Sequence, residues 1–476
     1  MAKNVFWLIL GSAIGGTINF FVIIYLARVL GASAFGLFVF AQAFLIYFVL
    51  LVDSGLSLFG VREIAKSPDS AGSITLNLFV LRLLLAAVLF FFSLSILMFI
   101  PVAESVRWLF AATFLFVFYR ALNADWVFQG LEKMEFNAFS KIIYASLCLP
   151  LIILFVKNAN DLARAPLIQA LCGIAAAVIF LFILGKFILR FQFTLLAPAK
   201  WWSYFLAAMP LGASIVLIQV YNNFDTIMLG FMDKPAVVGY YNAAYRVFNV
   251  LVSGFALWQS TALPIMSKRF GDNLDRAKEF INKYLHLTML FIIPLTLAVF
   301  LSAPLLIKLL FGAEYAQGVL ALQILAWNLI LVSIGSVYGV TILIPSGHYN
   351  RFFIAVAIGA IVNIVLNFIL IPPFSFVGAA IATLLAELFS VSVSFFYARQ
   401  IIRLPLVRYL FKPVLVSLAG MLVFILIFKN ILTGDYLASY VLALAGYAAA
   451  CAGIVLVIEK DFVAEFVLEI FRSKNA

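Results

Sequence analysis

Charge is what this chain has least of. Of 476 residues, 31 are Lys or Arg and 20 are Asp or Glu, so 11% carry charge. A soluble domain carries about 25%. With 66% apolar residues and a mean hydropathy of +1.17, that shortage excludes a soluble enzyme, a disordered chain and a nucleic-acid binder. Metal-ligating residues are equally scarce, at 2 His and 3 Cys. His286 and His348 stand alone. Cys148, Cys172 and Cys451 each sit in an apolar run without disulfide or zinc-site spacing, so neither a disulfide framework nor a metal is expected. No G-x-x-x-x-G-K-[ST] phosphate loop is present, which argues against ATP as the direct energy source. No cofactor is expected. Nor is there a hydrophilic stretch large enough to fold alone or to house an extramembrane active site.

Apolar runs fill the chain instead. A membrane-spanning helix needs roughly 20 apolar residues, and about fourteen such runs can be marked from Val5 to Ile458. The expected fold is an all-α polytopic membrane protein. The first run, Val5–Ala27, is too long for a signal-peptide core of roughly 7–15 residues and reads as an uncleaved span. The longest connections, around Asn123–Ser140 and Ile265–Lys283, reach about 20 residues.

The basic residues orient this map. With the N-terminus placed in the cytoplasm, 22 of the 31 Lys and Arg fall in cytoplasmic segments. Seven fall outside (Arg28, Arg107, Lys157, Arg164, Lys234, Lys308 and Lys429), and Arg82 and Arg246 remain inside spans. A ratio of about 3:1 is the positive-inside pattern. It predicts a multi-pass protein of the cytoplasmic membrane with both termini cytoplasmic. It also explains the net charge of +11 without nucleic acid.

A faint repeat divides the chain. Leu30-Gly31, a short loop and Gly36-Leu37-Phe38 join spans one and two. Leu229-Gly230, a short loop and Gly239-Tyr240-Tyr241 join spans seven and eight. An even number of spans lies between the copies, so both keep one orientation. This predicts two six-helix lobes in parallel pseudo-symmetry, at 1–200 and 201–400. Residues 401–476 would then add two spans and a cytoplasmic tail. The tail carries Phe462, Phe466 and Ile470 on one side and Asp461, Glu465 and Glu469 on another, which reads as an amphipathic surface helix.

The few polar residues left inside the spans bear on function, because a charge at the bilayer centre costs roughly 2.5–3.5 kcal/mol on insertion scales. Asn242, Arg246, Asn249, Ser253 and Ser260 recur at helical spacing along span eight. They face either a cavity or a polar seam between packed helices. Asp225, beside Gln219, Asn222 and Asn223, lies at a similar depth on span seven, so an Asp225–Arg246 pair is plausible as structural glue or as a functional pair. Asp53 and Arg82 could pair likewise. Arg28 sits at an outer helix end, where snorkelling is the default. Glu387 falls near the middle of span twelve with no basic residue close on its own span. It is either a proton-accepting coupling group or a hydrogen-bonded structural carboxyl.

Several segments resemble a known family. Asn123-Ala124-Asp125-Trp126-Val127-Phe128-Gln129-Gly130-Leu131-Glu132-Lys133-Met134, in the cytoplasmic loop after span four, resembles a segment of O-antigen and capsular oligosaccharide flippases. So do Ala27-Arg28-Val29-Leu30-Gly31 and the junction from Asp225 to Tyr241. Leu310-Phe311-Gly312-Ala313-Glu314-Tyr315 is similar to their turn of that pattern, and Asn363 to Asn367 with Gly378 to Ala382 to their eleventh and twelfth helices. The resemblance covers nearly the whole chain. It points to the polysaccharide-transporter branch of the multidrug/oligosaccharidyl-lipid/polysaccharide exporter superfamily. It implies an alternating-access flippase that moves undecaprenyl-diphosphate-linked oligosaccharide to the outer leaflet, among membrane lipids and beside a polysaccharide polymerase and chain-length machinery. On that reading Arg246, Arg82 and, nearer the rim, Arg28 would hold the diphosphate, since guanidinium binds phosphate bidentately. Asn242, Asn249, Asn222 and Gln219 would contact sugar hydroxyls, and Glu387 with Asp225 would couple transport to a cation. A multidrug antiporter and a peptidoglycan-precursor flippase of the same superfamily are the nearer alternatives. A membrane glycan polymerase or ligase is the distant one, disfavoured by the short outer loops.

Overall fold

The computed structural model describes residues 2–189, 196–431, 436–460 and 462–466, all in helices or short connections with no strand among them. Hydrocarbon offers no hydrogen-bond partner, so an apolar run buried in it closes its own backbone bonds as a helix. Eleven stretches among the described residues are long and apolar enough to cross a membrane. Two of them are double. The helix α1 (Ala2–Asp53) is broken at Gly31, with φ 75° and ψ 168°. A second long helix, Tyr349–Ala398, is broken at Ser375, with φ 55° and ψ −138°, just after Pro372 and Pro373. A Cβ built on Gly378 would meet the Leu370 carbonyl at 2.1 Å, whereas eight residues of continuous helix would hold them about 12 Å apart. The chain therefore doubles back there. Dividing these two and adding Trp201–Met232 brings the described spans to the fourteen the sequence predicts.

The chain forms two compact units, Met1–Gly239 and Tyr240–Ala476. The first holds α1, α2 (Leu56–Lys66), α3 (Ala71–Phe99), α4 (Glu104–Phe114), α5 (Phe116–Leu122), α6 (Asp125–Gly130), α7 (Met134–Phe155), α8 (Arg164–Ile183) and α9 (Trp201–Met232). Small residues set its closest approaches. A Cβ on Gly36 would sit 1.8 Å from the Pro235 carbonyl oxygen, and one on Gly239 would sit 2.3 Å from that of Ala32. The two copies of the repeated junction are thus packed on each other, backbone against backbone. Farther along the same helices, Ser54 (φ 41°) and Gly55 (φ 83°) break α1 from α2, and a Cβ on Gly55 would lie 2.4 Å from the Ala208 carbonyl.

The second unit holds α10 (Pro235–Asp272) from Tyr240 onward, α11 (Leu274–Leu310), α12 (Gly318–Ser336), α13 (Tyr349–Ala398), α14 (Leu406–Ile431) and α15 (Tyr436–Ile458). Beyond Ser336, α12 continues as a π-helix over Val337–Leu343. Phe466 is 1% exposed and packs on Phe280 at 5.2 Å between ring centroids. The apolar side of the expected tail is therefore seated in this unit's core rather than lying free on a surface. Asp461, Glu469 and Ile470 of that tail, and Arg190, Arg472 and Lys474, lie outside the described residues.

Candidate functional site

In the first unit the embedded charges are organised around Arg82 on α3. Its side chain is buried, and Nη2 lies 3.4 Å from Asp53 Oδ1 at the end of α1. Nη2 also donates to the Arg120 carbonyl at the end of α5, and Ser57 Oγ donates to Asp53 Oδ1. The pairing expected from sequence is present. A guanidinium has five donors, and here Nε and Nη1 are buried with no hydrogen-bond partner among the described residues. Asp125, from the segment after α5 that the sequence singles out, lies within electrostatic range of Arg82.

Asp225 on α9 is 3% exposed and lies within electrostatic range of Tyr47 on α1. Gln219 does not stand open: Asn223 Nδ2 donates to both its carbonyl and its Oε1, each at 3.1 Å. The side chain of Asn222 lies outside the described residues. Arg28 is exposed at the end of the first half of α1, one turn before the Gly31 break.

In the second unit the polar stripe runs down α10. Asn242 is buried, Arg246 and Asn249 are half-buried, and Ser253 and Ser260 are exposed. The two serine hydroxyls turn back onto their own helix, Ser253 Oγ to the Asn249 carbonyl and Ser260 Oγ to that of Leu257, both at 2.7 Å. The stripe therefore offers the groups of Arg246 and Asn249 more than its hydroxyls. Within this unit Arg246 makes no ion pair or hydrogen bond to a described residue.

Glu387 is half-buried at the middle of the second half of α13. Its Oε1 would be 3.2 Å from a Cβ on Gly335 of α12, so the carboxylate lies against bare backbone just before the π-helix begins. Such π turns concentrate at functional sites. Nearby along the α13 hairpin, Tyr241 OH and Thr383 Oγ1 are 3.4 Å apart, and Asn367 Nδ2 donates to Asn363 Oδ1 at 3.1 Å.

Two polar constellations escape the sequence reading. Gln42 Nε2 on α1 donates to Gln169 Oε1 on α8 at 2.9 Å, across 127 residues. In the second unit His286 is not alone: its Nε2 is 3.4 Å from Glu459 Oε2, and Lys412 Nζ is 2.6 Å from Glu459 Oε1. Burial pushes the Glu459 carboxyl up, but its bond to Lys412 and the His286 ring outweigh that and hold it below its ordinary value. The only long-range signal was a carboxylate just past the last span. No group of three or more His, Cys, Asp and Glu among the described residues could hold a metal.

Residues 1–270 match the family described as polysaccharide biosynthesis protein. The chain belongs to that family. A second match, to MatE, covers residues 210–369. Over 79% of the chain and 91% of its own length, a protein of Escherichia coli K12 named as an O-antigen transporter is 27% identical. The capsular polysaccharide biosynthesis protein CapF of Staphylococcus aureus is 26% identical over 57% of the chain and 69% of its own length. Among solved structures, the fold is shared with the lipid II flippase MurJ in an inward closed conformation, at TM-score 0.76 and 17% identity over 96% of this chain and all of that one. It is also shared with an inward-facing multidrug resistance MATE family transporter of the MOP superfamily, at TM-score 0.64 and 14% identity over 82% of this chain and 97% of that one. This polysaccharide biosynthesis protein is a multi-pass, all-α membrane protein with that fold.

Proposed function

We propose that the protein is a flippase. It carries polyprenyl-diphosphate-linked oligosaccharide from the cytoplasmic to the outer leaflet of the cytoplasmic membrane by alternating access, coupled to a cation. The names of its O-antigen and capsular relatives support the substrate class. The observation that carries the reading is Arg246: a guanidinium held in a membrane span on a polar stripe, with no counter-charge among the described residues of its own unit. Leaving such a group uncompensated is costly, and a diphosphate supplies the missing anion through bidentate hydrogen bonds. Asn242 and Asn249 flank it and suit sugar hydroxyls. On the first unit, Arg82, tied to Asp53 but with Nε and Nη1 unused, and Arg28 are the further candidates for the diphosphate. Gln219 and Asn222 are secondary contacts. Glu387 and Asp225 are the coupling groups, and delivered units pass to a polymerase and its chain-length machinery. No group positioned for catalysis is assigned.

Glu387→Gln removes the titrating carboxylate while keeping its size. The expected result is a flattened dependence of transport on pH in proteoliposomes; a profile identical to the unmodified protein's would remove Glu387 as the coupling group. The orientation has its own test. Cysteines placed singly at Lys200 and Lys234 are expected to react with an impermeant thiol reagent from opposite sides of the membrane, Lys200 from the cytoplasm, and labelling from one side alone would break the topology.

A further inference from the structure

Around the His286–Glu459–Lys412 cluster the second unit has two adjoining cavities. One, of about 360 Å³, is polar, and its charged lining is Lys283, Arg408 and Lys412 with Glu279 and Glu459, beside the His286 ring. The other, of about 310 Å³, is apolar and runs between α11, α14 and α15 along Leu290, Leu415, Ala419, Ile454 and Ile458. Lys412 and Glu459 line both, so the polar and apolar spaces adjoin across that ion pair.

The charge of the polar end is not balanced. Lys283 pairs with Glu279 at 2.7 Å and Lys412 with Glu459 at 2.6 Å. Arg408 is left over: it is exposed, within electrostatic range of His286, and bonded to no described side chain. Among the described residues lining the polar end, three cations thus face two carboxylates. The surroundings indicate what phase supplies the missing anion. Leu415 and Ile458, which line the apolar cavity, are 50% and 60% exposed, and Val407 and Phe411, one turn apart beside Arg408 and Lys412 on α14, are 80% and 66% exposed. A rim this apolar borders hydrocarbon, and basic side chains with a Tyr409 ring mark the membrane–water boundary.

We propose that these adjoining cavities bind one anionic phospholipid, with its phosphodiester at Arg408 and Lys412 and an acyl chain between α11, α14 and α15. Charge and shape together favour a lipid over a soluble phosphate. A free phosphate would use the polar half alone and leave the apolar half empty. The site shares no residue with those assigned to transport above and does not depend on that assignment.

The test uses the full chain purified in a zwitterionic detergent. Bound lipid is counted by native mass spectrometry after titration with phosphatidylglycerol or with phosphatidylcholine. One phosphatidylglycerol per chain should be retained preferentially. Arg408→Gln, at an exposed guanidinium that leaves the packing untouched, should weaken its binding roughly fivefold, the effect of one basic residue at a lipid surface. Ala419→Phe should fill the apolar half and lower occupancy while Arg408 remains, and inorganic phosphate at millimolar concentration should not displace the lipid. Equal retention of phosphatidylcholine, unchanged occupancy in the well-folded Arg408→Gln variant, or displacement by inorganic phosphate would each overturn the proposal.

Discussion

Arg246→Ala should lower surface-glycan export by roughly 10- to 100-fold while the protein still accumulates in the membrane at its normal level. The magnitude follows from the contact removed: a hydrogen bond to a charged group contributes about 1.5–3 kcal/mol, and each 1.4 kcal/mol is a factor of about ten. The folded state should not suffer, because within its unit Arg246 has no counter-charge to strand. Arg246→Lys should fall between the two, since an ammonium keeps the charge but loses the planar fork that grips a diphosphate at two points. Export is measured as glycan displayed by a strain lacking its own flippase and carrying each variant, with membrane protein quantified in parallel. Normal export by Arg246→Ala would sink the assignment of the stripe to substrate.

The second large effect is on stability. Asp53→Ala removes the ion-pair partner of Arg82, which is 2% exposed and keeps the Arg120 carbonyl as its hydrogen-bond acceptor and Asp125 only at longer electrostatic range. Removing one partner of a buried pair costs roughly 3–5 kcal/mol. The double change Asp53→Ala with Arg82→Met should recover most of that loss, because a well-packed apolar pair replaces an ion pair with little net change. Thermal unfolding in detergent of the two single variants and the double one separates the terms. A double variant as unstable as Asp53→Ala would show that the cost lies in lost packing at the Ser54–Gly55 break rather than in an unpaired charge.

These two residues also show what the sequence makes legible. A charge inside an apolar helix has few ways to exist, so Asp53 and Arg82 announce each other from composition alone. The spans themselves are legible for the same reason: hydrocarbon allows the backbone one solution. Gln42 and Gln169 announce nothing. Neutral amides are tolerated singly in spans, and no pattern links partners so far apart in the chain. His286 reads as solitary because its counter-charge comes from Glu459, past the end of the last span, and chain distance hides what helix packing brings together. The tail shows the reverse error. Its alternation of Phe and acid fits a surface helix, but periodicity says only that one face is apolar, not whether that face meets lipid or the protein's own core, and Phe466 meets the core.

Last, the glycine contacts along α9 restrict how that helix can move within its own unit. Near one end Gly212 abuts the Ser54–Gly55 break, with a Cβ there only 2.6 Å from the Ser54 carbonyl carbon, and near the other Gly230 is pressed on the ring of Phe40. These two fastenings are 18 residues apart, about 27 Å along a helix. A rod held this way cannot slide lengthwise by a turn without driving side chains into backbone at both fastenings.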